Sequence, residues 1–274
     1  MVPASQAGIR VSAGPAPTSN RIVHYRRGGL EIAELYFVDE LPEPLPAADL
    51  LRLVAVPRPT SDSAWSRRNM LSIDLTLPED ELLQAMGRNT RYKIRRAMRR
   101  DRLHVETFES PTPELVATFT DYWDQFATSK SLRPIFRPRL YAMADSGMLV
   151  ISRVSHEGMP PLAWHAYAVA SGRALLLYSA SHFRSYRDSA ERNMIGRANR
   201  YLHWHDMLWC RAAGCEWYDM GGINLAGEDP ATRRVTEFKL GLGARPQPTY
   251  MRTGAVSARG RLAKTLLRLL RIDL

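Results

Sequence analysis

The chain has 274 residues, 45% of them hydrophobic, a net charge of +10 and two cysteines. That hydrophobic share supports a real core, Cys210 and Cys215 exclude a disulfide framework, and no apolar run reaches the length of a membrane span. The basic surplus points to polyanionic partners: nucleic acid, anionic lipid or phosphorylated substrates.

Residues 1–20 are rich in Ala, Pro, Ser and Gly and lack an apolar secretory core. They read as a disordered leader of a protein working in the cytoplasm. Apolar runs at 22–25, 30–38 and 51–56, separated by Pro and Gly, predict strands, and the alternation at 71–75 predicts another. Pro78 opens a helix whose first turn carries Glu79, Asp80 and Glu81 at its positive end, with Gly87 as an interruption. Asn89 or Thr90 caps the next helix, 91–100, with Tyr92, Ile94, Ala97 and Met98 as its apolar set. Between Arg88 and Arg102 stand eight basic residues and one acid, Asp101. Arg88, Arg91, Lys93, Arg95, Arg96, Arg99 and Arg100 are therefore candidates for a nucleic-acid backbone contact.

Residues 103–108 predict a strand. Thr112-Pro113-Glu114 opens a helix with its cap and first-turn proline in place. Leu115, Phe119, Tyr122, Trp123 and Phe126 follow at helical spacing and read as core. Strands at 148–155, 162–170 and 173–180 come next, then a polar loop at 181–197, a helix at 198–213 and a strand at 215–220. A basic amphipathic helix is expected over 258–274, with Leu262, Leu266, Leu269 and Leu270 on one face and Arg261, Lys264, Arg268 and Arg271 on another. It docks on the protein itself or lies on a membrane surface.

The strand Tyr218-Asp219-Met220-Gly221-Gly222-Ile223 ends in two glycines. Beyond a polar loop, Glu237-Phe238-Lys239-Leu240-Gly241-Leu242-Gly243-Ala244 sets one lysine among apolar residues. This pair of segments resembles the closing part of the Fem (FemABX) aminoacyl transferases. The basic stretch Asn89–Arg100 and the stretch Ala198–Gly214 resemble two helices of that family in the same order, so the likeness spans roughly residues 75–245.

The resemblance implies an α/β fold of the GNAT type: a mixed sheet flanked by helices, as a tandem of a reduced N-terminal domain (21–101) and a complete catalytic domain (102–250); the basic amphipathic segment, 251–274 as a unit, follows them. It implies aminoacyl-tRNA as co-substrate, no further cofactor, and an amide bond made on a peptide amine, either a cell-wall precursor or a peptide natural product. Lys239 maps onto the family's charge-stabilising lysine, with Phe238 either stacking on the nucleotide end or filling core.

The proton acceptor is open among Asp219, Glu237, His165 and the leaving oxygen itself, which can take the amine proton without a protein base. Gly221, Gly222, Tyr167 and Tyr178 are candidates for holding substrate. Asn193, Gly196, Arg197 and Arg200 occupy the place of the CoA pyrophosphate loop of ordinary GNAT enzymes, although Asn193 departs from its first position. His203 and His205 face different sides of a helix and give no shared metal site. An acyl-CoA N-acyltransferase and a non-catalytic polyanion binder are the competing readings, and the oligomeric state is open.

Overall fold

The computed structural model describes residues 22–59, 65–183, 186–222 and 230–269. The expected leader, Ile223, Leu270 and Arg271, and the side chain of Arg268, lie outside the described residues.

Within them the strands are β1 (Ile22–Arg27), β2 (Leu30–Tyr36), β3 (Leu50–Val56), β4 (Ser66–Asp74), β5 (Leu103–Phe108), β6 (Leu149–His156), β7 (Ala163–Ala170), β8 (Arg173–Ser181), β9 (Trp217–Gly222) and β10 (Arg245–Ala255). They form one mixed sheet in the order β1-β2-β3-β10-β4-β9-β8-β7-β6-β5. The helices are α1 (Glu79–Ala85), α2 (Arg88–Arg100), α3 (Pro113–Ser129), α4 (Arg137–Asp145), α5 (Ser189–Ala212), α6 (Pro230–Gly241) and α7 (Ala258–Leu269). Two half-sheets therefore join edge to edge through the antiparallel β4–β9 pair. β10 returns to the first half, between β3 and β4, so residues 245–255 extend that half and not the second.

Alternating side chains cover both faces. On one, α3 and α4 pack Val116, Phe119, Leu140 and Met143 against Ile151, Trp164 and Ala166. On the other, Leu82 of α1, Ile94 of α2 and Trp204, Met207 and Cys210 of α5 cover Leu71, Tyr167 and Tyr218. A buried carboxylate ties the halves together on the α4 side. Glu34 of β2 takes Arg52 at 2.6 Å and Arg139 of α4 at 2.8 Å, and accepts from the hydroxyls of Tyr25 and Tyr36, both at 2.7 Å. Burial pushes its carboxyl pKa up, but Arg139 and Arg52 outweigh that and hold it below the usual value.

Several expected elements shift. α2 starts at Arg88 with Gly87 as its cap, so Asn89 and Thr90 lie in the first turn. α5 starts at Ser189, absorbing most of the expected polar loop. α4, α6 and β10 were not expected from the sequence; residues 251–255 belong to β10, and the closing helix begins at Ala258, where its amphipathic pattern starts.

Candidate functional site

The parallel pair β8–β9 is hydrogen-bonded only at Arg173–Trp217, Ala174–Tyr218 and Leu175–Asp219. Beyond that level the strands part, and each carries an irregularity there. β8 bulges at Leu177: Leu176 pairs with Tyr167 and Tyr178 with Ala166. β9 bulges against β4, where Met70 pairs with Gly222 and Ser72 with Asp219, leaving Met220 and Gly221 opposite Leu71 alone. Gly221 sits at φ +79°, the left-handed conformation such a bulge requires and a side chain resists. Both irregularities break the β8–β9 ladder at one level, a wedge between the two strands.

Lys239 of α6 stands at its mouth. Its Nζ donates to the Gly222 carbonyl at 3.2 Å. A Cβ on Gly221 would lie 3.7 Å from both that Nζ and the Leu176 carbonyl oxygen, so the glycine leaves room between the lysine and β8. Among the described residues no carboxylate pairs with Lys239. Burial without a counter-charge lowers its pKa to about 8.

Phe238 lies between two partners: the Arg200 guanidinium 4.8 Å from its ring centroid, and the His203 ring at 5.5 Å. Behind it runs a buried polar chain. His203 Nδ1 meets the Tyr218 hydroxyl at 2.7 Å, which meets the Tyr167 hydroxyl at 2.5 Å. Tyr167 donates to Asp206 at 2.6 Å, and Asp206 also bonds His165 Nδ1 at 2.7 Å. His165 Nε2 is 2.9 Å from Asn199 Oδ1 at the α5 surface. Burial, then the charges of His165, Arg200 and Lys239, push the His203 pKa well down. His203 is thus a neutral ring, paired through Tyr218.

A cleft of about 380 Å³ opens on the same face between α2 and the start of α5, lined by Tyr92, Lys93, Arg96, Ser189, Ala190, Asn193 and Arg197. Burial, then Arg200 and Arg197, depress the Lys93 pKa, so the cleft favours an anion. Arg88, Arg95, Arg96, Arg99 and Arg100 are exposed along α2. None has a carboxylate partner among the described residues.

The sequence candidates divide accordingly. Lys239, Phe238, Gly221, Gly222, Arg200 and Lys93 come together on the α5 face. Asn193, Gly196 and Arg197 do not form a phosphate-binding loop, because they lie inside α5 with their N–H groups facing its own turns. Arg197 is held by Asp101 at 2.5 and 3.0 Å. The first turn of α5 is capped by its own Asp188, whose carboxylate takes the Glu191 N–H at 3.1 Å. Arg91 caps α1 through the carbonyls of Gln84 and Met86 at 2.7 and 3.0 Å and is committed there.

Asp219 is a strand tie: fully buried, paired with Arg173 at 3.0 Å through both oxygens, bonded by Ser72, and on the face opposite Tyr218. It does not meet Lys239. Glu237 is exposed, with only Arg233 at 4.0 Å. His165 has both ring nitrogens engaged inside the buried chain. Tyr167 belongs to that chain, while Tyr178 packs on the α3 side, 4.8 Å from Trp123, so the two tyrosines do not share a substrate. His165, His203 and Asp206 form a buried group with metal-capable atoms within 4.8 Å of one another, which the spacing of His203 and His205 did not reveal. Their hydrogen bonds to Tyr167, Tyr218 and Asn199 already account for them.

Asp206, Asn199, Tyr218 and His203 are the participants that the sequence reading missed. One signal was present: His165 and Tyr167 share a strand face, and His203 and Asp206 share a helix face.

No match is found among curated proteins. Among solved structures, FemX superposes with a TM-score of 0.61 at 12% identity, covering 92% of this chain and 86% of that one. The C-terminal domain of a putative lysylphosphatidylglycerol synthetase from Agrobacterium fabrum gives 0.51 at 16% identity, covering 94% and 88%. At these identities the likeness concerns the fold. The family model for the acetyltransferase (GNAT) domain matches residues 85–240, more than half of the chain and the whole region from α2 to Lys239. The chain thus belongs to the acetyltransferase (GNAT) domain family, as an acyltransferase with a Fem-like fold.

Proposed function

We propose that this protein is a tRNA-dependent aminoacyl transferase acting on the amine of a peptide. The observation that carries this reading is the Lys239 ammonium, without a carboxylate partner among the described residues, at the wedge between β8 and β9, beside the Phe238–Arg200 stack and on the same face as the basic helix α2. The acceptor nitrogen attacks the ester carbonyl carbon of the charged tRNA. A carbon–nitrogen bond forms, the ester carbon–oxygen bond breaks, and the amine proton passes to the departing ribose oxygen. Negative charge grows first on the carbonyl oxygen and then on that leaving oxygen. A fixed ammonium stabilises either, typically by about 3–4 kcal/mol. The Arg200 guanidinium, stacked on Phe238, offers a planar cation for the terminal base, and the α2 side chains take backbone phosphates.

An acyl-CoA donor is the second reading, favoured by the acetyltransferase family match. Against it stands the first turn of α5, where the Asp188 carboxylate already takes the Glu191 N–H and both acids add negative charge.

Supplying tRNA charged with labelled amino acid to a panel of peptide amines tests the proposal. Amide-linked label is expected, and no product with any donor–acceptor pair would overturn it. Binding of charged tRNA should weaken with salt with a log–log slope of about −3 to −4 if about four phosphates are neutralised. Replacing Arg95, Arg96 and Arg99 together by Gln should flatten the slope by about 2–3 units; an unchanged slope removes α2 from the tRNA interface.

The transfer rate should also fall as pH rises through the Lys239 pKa of about 8, since the ammonium is present below that pH and lost above it. One unit above, about a tenth of the enzyme keeps the charge, so an approximately ten-fold loss is expected. Lys239→Arg, whose guanidinium does not titrate, should be slower but lack this alkaline limb. A limb of the same position in Lys239→Arg would assign it to another group.

A further inference from the structure

α7 leaves a row of leucines uncovered. Leu262, Leu266 and Leu269 recur at i, i+4 and i+7 on one stripe and are 64%, 50% and 74% exposed. The opposite side of the helix is what holds it to the protein. Gly260 packs so close to the Asp49 backbone that a Cβ would lie 1.9 Å from its carbonyl oxygen. Lys264 Nζ donates to the Thr253 carbonyl of β10 at 2.8 Å, and the Gly260 N–H bonds Ser257 Oγ at 3.0 Å. α7 is thus docked through the side that carries Gly260 and Lys264, and Leu262, Leu266 and Leu269 point away from it.

The helix sequence, ARGRLAKTLLRL, carries four basic residues and no acid. Arg259 and Arg261 flank the stripe on either side, and both are exposed, as is Lys264. Arg259 keeps the β1–β2 turn beside the helix through the Gly29 carbonyl. Leucines alone would suit any apolar partner, and cations alone would suit any polyanion. The two together, on a helix lying along the surface, suit a phase with an anionic rim and an apolar interior. A nucleic acid offers no interior for the leucines. A second copy of the chain would bring two acid-free basic helices face to face, where like charges repel. No helix among the described residues is long and apolar enough to cross a membrane, so contact through α7 is lateral.

We propose that α7 is an interfacial anchor that lies flat on an anionic lipid bilayer, with Leu262, Leu266 and Leu269 among the acyl chains and Arg259 and Arg261, which flank them, among the headgroup phosphates. This rests on α7 alone and is independent of which acyl donor the wedge accepts.

Co-sedimentation of the full chain with phosphatidylcholine vesicles, with and without phosphatidylglycerol, tests it. Binding is expected only with the anionic lipid and should fall with added salt. The triple variant L262Q/L266Q/L269Q should lose at least about ten-fold in partitioning, as three leucines leave the acyl region. R261Q should lose about five-fold by a separate route. Because all these side chains are exposed, thermal melts and tRNA binding should match the wild type.

Three results would overturn the proposal. One is equal binding to pure phosphatidylcholine or no binding to either vesicle. Another is a leucine variant that binds vesicles as well as the wild type. The third is a leucine variant whose sedimentation without lipid shows a lost self-association, or which loses tRNA binding; these assign the stripe to a second copy or to nucleic acid.

Discussion

Replacing Lys239 by Met is expected to slow single-turnover transfer from saturating charged tRNA by about 10²–10³-fold, the usual cost of losing one donor at a developing oxyanion. Met keeps the stem volume and removes the charge. Affinity for charged tRNA should change only a few-fold, because an ammonium that acts mainly in the transition state contributes little to ground-state binding. Lys239→Arg should not restore the rate, since a planar fork cannot occupy the place of a compact ammonium between the Gly222 carbonyl and β8.

Stability follows a separate sign. The folded-state pKa of about 8 lies below the ordinary 10.5, so the unfolded chain holds this proton more tightly. Wild-type stability should therefore rise with pH between those values, and the Met variant should lack that rise. Near-normal turnover by Lys239→Met would remove the residue from the chemistry. A collapsed melt would make it structural instead.

Replacing Glu34 by Gln is expected to cost about 3–5 kcal/mol of folding free energy, the typical result of removing one partner from a buried ion pair. Glu34 is fully buried and answers two guanidinium groups, Arg52 and Arg139, that have little solvent to turn to. The amide keeps the shape but leaves both cations uncompensated, side by side, at the seam between β2 and α4. A urea titration should show a lower midpoint at an unchanged slope. The double variant Glu34→Gln/Arg139→Gln should recover part of the loss, because the two sites couple. A single-variant loss under about 1 kcal/mol would mean that the seam does not depend on this carboxylate.

The parts of the fold legible in the sequence are those with local signals. β5 matches its expected range, and α3 begins with Thr112 accepting from the Leu115 N–H and Pro113 in the first turn, as its residues dictate. β6, β7 and β8 fall within a residue of expectation at each end, because their apolar runs are bounded by turn residues. β10 contains Pro246, Pro248 and Gly254 and lacks alternation; it is a strand because β3 and β4 hold it on both sides. α4 starts without a capping side chain. The start of α5 was readable: Asp188 followed by Glu191 three residues later is a helix-opening pattern, and a loop reading of 181–197 passes over it.

At the site, the two glycines and the lysine were visible as motifs. Their physical reasons were not. Gly221 is needed for a bulge set by pairing with β4, and the depressed pKa of Lys239 follows from burial that only the folded chain creates. The chain from His203 to Asn199 draws on β7, α5 and β9, so no window of sequence contains it. Asp219 looked chemical because it sits in the motif, yet its carboxylate is spent on Arg173 and Ser72.

The choice of donor decides the central claim, and one competition measures it. The protein is given a peptide amine together with tRNA charged with one labelled amino acid and acetyl-CoA carrying a different label, both in excess, and the acylated peptide is analysed. Amide carrying only the amino-acid label, lost in Lys239→Met, is the expected result. Peptide carrying the acetyl label, formed at the same rate whether or not charged tRNA is present, would contradict it and make the protein an acyl-CoA N-acyltransferase.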